Sequence, residues 1–320
     1  MTDVAMHHLK ATPETTRFGI LDARFPAVLE VISGDTVVIE CVSGSPEMLP
    51  AAGSGFVIPK SLAAIHDARP SRIGPHIITG PVAIDGAEPG DTLEVHVNKI
   101  EFGAEWGFCA VRPLSGTIPA DFPDGDITYI RIDAERKYCM LPWGAKIPLA
   151  PFFGLMGVAP PPSYGALSTK EPREFGGNID NKELGAGSTL FLPVMVPGAN
   201  FVVGDGHGVQ GDGEVCVNAL EICLTGTFTF KLHKKREGMV GLSYPRAETA
   251  THFISFGMNA NLDVAMEKAL REMIDFICMK TGWSRVEAYK TCSLAVDFRI
   301  TQTVNGEKGI HGMLRKGLLF

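Results

Sequence analysis

Between residues 204 and 214 the chain reads Gly-Asp-Gly-His-Gly-Val-Gln-Gly-Asp-Gly-Glu, a composition unsuited to a hydrophobic core. Glycine buries no side chain and loses the most backbone entropy on ordering, so this density predicts a chain bent tightly around something it must approach closely. Asp205 and His207 are two apart, which in an extended segment puts both side chains on one face. A carboxylate and an imidazole on one face are ligand types for a divalent metal, the imidazole favouring Zn²⁺ and the surplus of oxygens Ca²⁺. Gly211-Asp212-Gly213 also has the chemistry of a hairpin turn, but a turn needs neither the histidine nor Glu214.

The segments around this acidic loop read as sheet. Val28 to Ile32, Thr36 to Glu40 and Leu93 to Val97 are short runs rich in β-branched residues, bounded by Ser-Gly-Asp, Ser-Gly-Ser and Pro-Gly-Asp turns. Two of the turns, at Asp35 and Asp91, each open a strand in the same way and are candidates for analogous turns. Ser188 to Val196 precedes the glycine-rich loop as a strand, and Val215 to Leu232 follows it as one or two more. The stretch from about 104 to 200 is dense in Pro, Gly and aromatics, and from Phe152 to Pro162 it reads as an extended, irregular connection.

Helical periodicity takes over only near the end. Leu262, Ala265, Met266, Ala269, Leu270, Met273, Ile274, Ile277 and Cys278 recur at steps of three and four, starting after Asn261 and stopping at Gly282. Such a stripe is a core-facing one. Ser284-Arg-Val-Glu287 is a capping-box start to a shorter helix ending near Cys292, followed by a strand from about Ala295 to Val304 and a glycine-rich tail. The predicted fold class is α+β, predominantly β, with a β-sandwich or barrel-like core and helices near the C-terminus. The 320 residues are read as one domain over 1–320, with two β-rich subdomains, about 1–165 and 166–320, as the alternative.

A formal charge of −7 and a single short basic run, His233-Lys234-Lys235-Arg236, argue against a nucleic-acid partner, and the run is read as a solvated strand end or turn. No apolar run reaches the length of a membrane span. The first residues, Met1-Thr-Asp-Val-Ala-Met-His-His, lack the charged start and apolar block of a signal peptide. Seven cysteines with no Cys-x-x-Cys pair fit reduced thiols, so the expected location is cytoplasmic.

Two further polar clusters lie upstream. Gly176-Gly-Asn-Ile-Asp180-Asn-Lys-Glu183 repeats the two-residue spacing at Asn178 and Asp180, and paired with the glycine-rich loop it is a candidate for the opposite wall of one pocket. Gly74-Pro-His76-Ile-Ile-Thr79-Gly80-Pro81 places His76 and Thr79 in a loop feeding a strand. With these in view the chain resembles the acetamidase/formamidase family. The resemblance is carried by Thr79-Gly-Pro-Val with Gly86-Ala-Glu-Pro-Gly-Asp91, by Pro151-Phe-Phe-Gly-Leu-Met-Gly-Val-Ala-Pro160, and by Gly177-Asn-Ile-Asp-Asn-Lys182. Gly204-Asp-Gly-His207 with Gln210-Gly-Asp-Gly-Glu214 adds to it, as do Glu287-Ala-Tyr, Ser293-Leu-Ala-Val-Asp297 and the Asn305 turn. It runs from about residue 17 to the C-terminus. Where some members carry a cysteine inside the Gly-Asn-x-Asp segment or a histidine before it, this chain has Ile179 and Phe175.

The resemblance implies a β-rich, cytoplasmic, homo-oligomeric amidase that hydrolyses formamide or acetamide to ammonia and the carboxylic acid. It draws the polar pattern onto His76, Asn178, Asp180, Asp205, His207, Glu214 and Glu221. Amide hydrolysis needs a nucleophile stronger than neutral water, stabilisation of the tetrahedral oxyanion and a proton for the leaving amine; a metal meets the first two needs. Asp180, Asp205 and His207 are the expected ligands, with Zn²⁺ ahead of Ca²⁺, and Glu214, His76 and Asn178 the expected catalytic residues. Glu221 is the reserve for Glu214, its plain reading being an ordinary strand glutamate. A rival mechanism uses Cys216 as nucleophile with Lys182 supplying positive charge, although Cys216 within Glu-Val-Cys-Val fits a buried small apolar residue better. Phe152, Phe153 and Trp143 are candidates for the pocket wall. A different class of function, a non-catalytic β-sandwich binding module with a structural Ca²⁺ site, also suits an oxygen-rich loop; His207, a poor Ca²⁺ ligand, separates the two.

Overall fold

The alternation between Thr36 and Glu40 becomes the strand Thr36–Cys41, in which every second side chain is buried. In the computed structural model, which describes residues 4–68, 70–235 and 241–319, this strand belongs to a nine-stranded sheet. Its order across the sheet is Met6–Leu9, Thr36–Cys41, Leu224–His233, Thr92–Phe102, Thr189–Pro193, Arg246–Glu248, His252–Asn259, Lys308–Arg315 and Val296–Gln302. A second sheet runs Gly176–Asn178, Phe152–Gly157, Phe201–His207, Ile77–Ile84 and Thr16–Phe18, with Leu29–Val31 also paired to Ile77–Ile84. A four-stranded sheet from Trp106–Val111 to Lys146–Pro148 stands beside them. Arg236, the end of the basic run, and the first three residues of the N-terminal stretch lie outside the described residues.

The two large sheets share one apolar core. Phe153 of the second sheet lies 5.4 Å from Phe228 of the first, and Phe201 lies 5.1 Å from Phe230, ring centre to ring centre. All four rings are fully buried. At roughly 1.5–3 kcal/mol for each buried ring, contacts of this kind make the sandwich the main sink of apolar surface.

The two Gly-Asp turns are analogous. Asp35 accepts from the Ile32 amide at 3.1 Å and Asp91 from the Glu88 amide at 2.9 Å, each closing a turn three residues long before its strand begins. The strands they open flank Leu224–His233 on either side.

The C-terminal reading holds closely. Helix α2, Leu262–Thr281, begins at Asn261, whose side chain accepts from the amides of Asp263 and Val264, and ends at Gly282 with φ +74°. It lays Ala265, Ala269, Met273, Ile274, Phe276 and Ile277 against the sheet. The next helix, Arg285–Ala295, has the Ser284/Glu287 capping box and runs three residues beyond Cys292. Two elements add to that reading. The glycine-rich tail carries a further strand, Lys308–Arg315, an inner one between His252–Asn259 and Val296–Gln302. The other is a short helix in the N-terminal half, α1, Lys60–Asp67.

The segment from Phe152 is not an irregular connection. Phe152–Gly157 is a strand whose six residues are all buried, paired on both edges. A strand covered on both faces loses the polar alternation by which strands are read, and the glycines hid it further. The glycine-rich segment splits for the same reason: Phe201–His207 is a fully buried strand, and only the residues after His207 leave the sheet. Of Val215 to Leu232, the part from Leu224 onward is strand and the part before it is irregular.

Candidate active site

Strand register in the second sheet gathers the polar residues at one end. Leu155 stands opposite both Asn178 and Gly204, Phe152 opposite His207, and Gly204 opposite Ile78. That pairing puts His76, Asp205, His207, Gly154, Asn178 and Asp180 at the same end of four neighbouring strands. Glu221 arrives from outside the sheet, held by paired backbone hydrogen bonds with Phe108 at 2.9 Å and by a bridge to His207. Glu214 arrives on a turn whose Gly213 is bridged to Gln302.

The cluster is dense and buried. His207 Nε2 lies 3.3 Å from Asp205 Oδ2 and 3.4 Å from Glu221 Oε1, and its Nδ1 lies 3.9 Å from Asp180 Oδ1. His76 Nε2 is 3.7 Å from Asp205 Oδ2, while its Nδ1 faces the Thr169 carbonyl at 3.2 Å. Asn305 Nδ2 donates to Asp180 Oδ2, Gln210 Nε2 donates to the Asp180 carbonyl at 2.8 Å, and Asn218 Nδ2 donates to Glu221 Oε1 at 3.2 Å. Asp180, Asp205 and Glu214 hold φ of +53°, +55° and +44°. Positive φ is uncommon outside glycine, with aspartate more tolerant of it than glutamate, so three such carboxylates at one place mark a backbone held there by its surroundings.

The electrostatics push neighbouring groups apart. Burial, and then the charge of Asp205, push the Asp180 carboxyl up to about 8. Burial acts the same way on Asp205, but the charges of His76 and His207 outweigh it and hold that carboxyl below the usual range. Burial would depress His207, yet Glu221 and Asp205 raise it well above an ordinary histidine. Glu214 is raised well above an ordinary glutamate, by burial first and Asp180 second. Carboxylates driven in opposite directions at contact distance are the electrostatic setting of acid/base chemistry.

Several of these atoms are shaped to hold a cation. Asp180, Asp205 and His207 offer donor atoms within 4.8 Å of one another, and so do His207, Glu214 and Glu221. Both His207 nitrogens, Asp180 Oδ1 and Glu214 Oε2 are buried without a hydrogen-bond partner. A Cβ on Gly154 would meet Asp180 Oδ1 at 2.4 Å, Asp205 Oδ2 at 2.6 Å and His207 Cε1 at 2.8 Å, so glycine keeps this space open. Buried orphan donors cost free energy that a bound ion would offset. A mixed oxygen and nitrogen set fits a divalent metal, and the central imidazole departs from the all-oxygen shell of a Ca²⁺ site.

Above the cluster opens a cavity of about 330 Å³, lined by His76, Asn178, Asp205, Glu214, Glu221 and Asn305 among others. Asp180 and His207 lie beneath its floor. Asn178 donates from Nδ2 to the Lys170 carbonyl at 3.2 Å, leaving Oδ1 buried and unpartnered. Thr79, by contrast, is inside a strand and donates to the Glu40 carbonyl.

Other expectations shift. Glu221 is no ordinary strand residue: it precedes Leu224–His233 and contacts His207, and the Asn218-x-x-Glu221 spacing was the only local sign of it. Trp143 is 68% exposed, Phe153 is in the core, and Phe152 packs edge-on beneath His207 at 5.0 Å; the aromatic on the cavity wall is Phe108. Cys216 is half-buried rather than buried, its Sγ 3.6 Å from that of Cys109, and it faces a separate apolar cavity of about 370 Å³. Lys182 pairs with Asp212 at 3.1 Å. Among the described residues neither Cys216 nor Lys182 lines the cavity above the cluster, and a Cys216 nucleophile has no support there. No helix among the described residues is long and apolar enough to cross a membrane.

Known proteins share this arrangement of chain. An acetamidase from Bacillus halodurans is 28% identical with a TM-score of 0.82, over 96% of this chain and 97% of its own. An acetamidase from Yersinia enterocolitica is 26% identical with a TM-score of 0.85, over 99% and 94%. A formamidase from Methylophilus methylotrophus is 25% identical over 241 residues, 59% of this chain and 57% of that protein. The chain spans between about half and two thirds of the length of the curated relatives it matches. The profile of the Acetamidase/Formamidase family matches residues 21–166 and 163–308, and the chain belongs to that family.

Proposed function

We propose that this protein hydrolyses a short linear amide, of the size of formamide or acetamide, to ammonia and the carboxylic acid. The observation that carries the reading is the convergence of Asp180, Asp205 and His207 under a polar cavity, with Gly154 keeping their donor atoms unobstructed. The names of the similar acetamidases and formamidase supply the substrate class. Asp180, Asp205 and His207 would hold a divalent metal, Zn²⁺ by preference. When bound, such an ion lowers the pKa of water to roughly 7 and polarises a carbonyl.

The chain's own residues supply the rest. Glu214 presents Oε2 unpartnered at the cavity floor, where it takes the proton of the attacking water and returns it to the departing nitrogen. Asn178 Oδ1 accepts from the substrate amide and orients it. His76 lines the cavity with its Nε2 3.7 Å from Asp205 Oδ2, and is the side chain assigned to the developing oxyanion. Glu221 fixes the Nε2 side of His207. The protein is expected to work as a homo-oligomer, which sedimentation would test.

The deciding experiment measures ammonia release from formamide and acetamide together with metal content, before and after chelation. Turnover lost with the metal and restored by Zn²⁺ supports the reading. Turnover that survives complete metal removal overturns the metal-dependent mechanism, and no turnover of any short amide overturns the hydrolase reading.

A further inference from the structure

The cavity is larger and more polarised than acetamide requires. Acetamide has four heavy atoms, roughly 120 Å³ at the ~30 Å³ that a water molecule occupies, against a cavity of about 330 Å³. Besides Asp205, Glu214 and Glu221 of the cluster, its lining carries Glu47 and three cationic side chains, Arg72, Arg112 and Lys170, from separate segments. Arg72 is already paired with Glu47 at 3.2 Å. Arg112 and Lys170 have no carboxylate partner within 4.0 Å among the described residues. Arg112 is half-buried where the chain leaves the strand Trp106–Val111, and its Nε is buried without a hydrogen-bond partner. A guanidinium that lines the cavity and has no carboxylate of its own matches the fork geometry of a ligand carboxylate.

We propose that the preferred substrate is a short amide whose far end carries a carboxylate, a monoamide of a small dicarboxylic acid, with Arg112 as the residue that selects it and Lys170 as an auxiliary charge. The inference rests on the amidase reading for the reacting end alone. In this reading the amide sits over Asp205, Glu214 and Glu221, at the candidate metal cluster, and the carboxylate pairs with Arg112. The reverse orientation would set a carboxylate beside three acidic groups, so the polarity of the cavity also fixes the direction of binding. An uncharged amide of the same length leaves Arg112 unpaired and is discriminated against.

The test compares succinamate with 4-oxopentanamide, the same skeleton with an uncharged methyl ketone in place of the carboxylate, on the metal-loaded protein. Both kcat/KM and the rise in Tm on ligand addition are read. The expected result is a kcat/KM ratio of at least tenfold in favour of succinamate, reduced tenfold or more by Arg112→Gln, less by Arg112→Lys and less again by Lys170→Met. A ratio near one, or a ratio that Arg112→Gln leaves unchanged, overturns the inference while turnover of the ketone amide leaves the hydrolase reading intact. If neither amide is hydrolysed but succinamate alone raises Tm, and Arg112→Gln abolishes that rise, the carboxylate site stands and the hydrolase reading falls. Neither turnover nor a Tm response sinks both.

Discussion

Around Gly257 and around Gly154 the chain meets the same demand, an approach closer than any side chain permits, with different neighbours. A Cβ on Gly257 would lie 2.0 Å from the Ala265 carbonyl oxygen and 2.4 Å from the Ala269 nitrogen, both backbone atoms of α2. A Cβ on Gly154 would strike the ends of three side chains, Asp180, Asp205 and His207. Near Gly257 the local preferences agree with the fold: α2 is capped at Asn261, closed by Gly282, and tied to the sheet by a hydrogen bond from Ser255 Oγ to the Ala269 carbonyl at 2.8 Å. Near Gly154 they conflict with it, through three carboxylates at positive φ and buried polar atoms with no partner. Strain and unmet polarity gather where a protein holds something other than itself, and the contrast separates a packing region from a working one.

The largest expected effect breaks the working region alone. In Gly154→Ala the new methyl displaces side-chain ends rather than backbone, so the fold survives while the donor atoms spread. Activity should fall on the order of 10³-fold, about 4 kcal/mol of transition-state stabilisation, with metal content falling alongside and Tm within a few degrees of the parent. Ammonia release, metal analysis and thermal melting on one sample check this; activity within tenfold of the parent would remove Gly154 from the argument.

Gly257→Ala should do the converse. Helix backbone cannot swing away as a carboxylate can, so α2 must lift from the sheet, at a cost of about 3 kcal/mol by the range for overpacking. Denaturant unfolding should show that loss, while turnover per folded molecule stays near the parent value. A variant that keeps its stability but loses turnover would erase the distinction between the two glycines.

The contrast also explains what the chain discloses before it is folded. Helix α2 was legible because its apolar stripe, its Asn261 cap and its Gly282 stop are local signals that agree. Phe152–Gly157 was not, because a strand buried on both faces carries no alternation and Gly154 is there for Asp180, Asp205 and His207 rather than for the strand. Asp205 and His207 could be paired from their spacing, and Asp180 from its motif. Glu221 could not be placed in their company on spacing alone, since only the bridges to Phe108 and His207, a matter of tertiary pairing, bring it there. The cationic residues of the cavity lining were hidden for the same reason, Arg72, Arg112 and Lys170 coming from separate segments.

A smaller effect tests whether satisfied carboxylates behave unlike those of the site. Burial would raise the Asp91 carboxyl, but Lys234 and the amides of Lys235 and Glu88 outweigh it and hold its pKa below the ordinary value. A depressed folded pKa means that the stabilisation is present above the unfolded value of about 3.9 and is lost as pH falls through the folded one. Asp91→Ala should therefore cost about 2 kcal/mol at neutral pH, with the gap to the parent closing below about pH 4. A gap that stays constant from pH 7 to pH 2 would assign the loss to the turn's backbone rather than to the carboxylate's charge.

The smallest effect belongs to the region where every local preference is met. Asn261 Oδ1 accepts from the Asp263 amide at 2.8 Å and from the Val264 amide at 3.3 Å, so Asn261→Ala strands two donors at an exposed helix end. Water can reach both, which limits the loss to about 1 kcal/mol. Because α2 is anchored by Ala265 and Ala269 within its first turns, the frayed end should not propagate to the site, and kcat/KM should match the parent. Hydrogen exchange would then show faster opening confined to the start of α2. Faster exchange at Phe201–His207 as well would mean that the two regions open as one unit, and that the strain around Gly154 is balanced by the packing around Gly257.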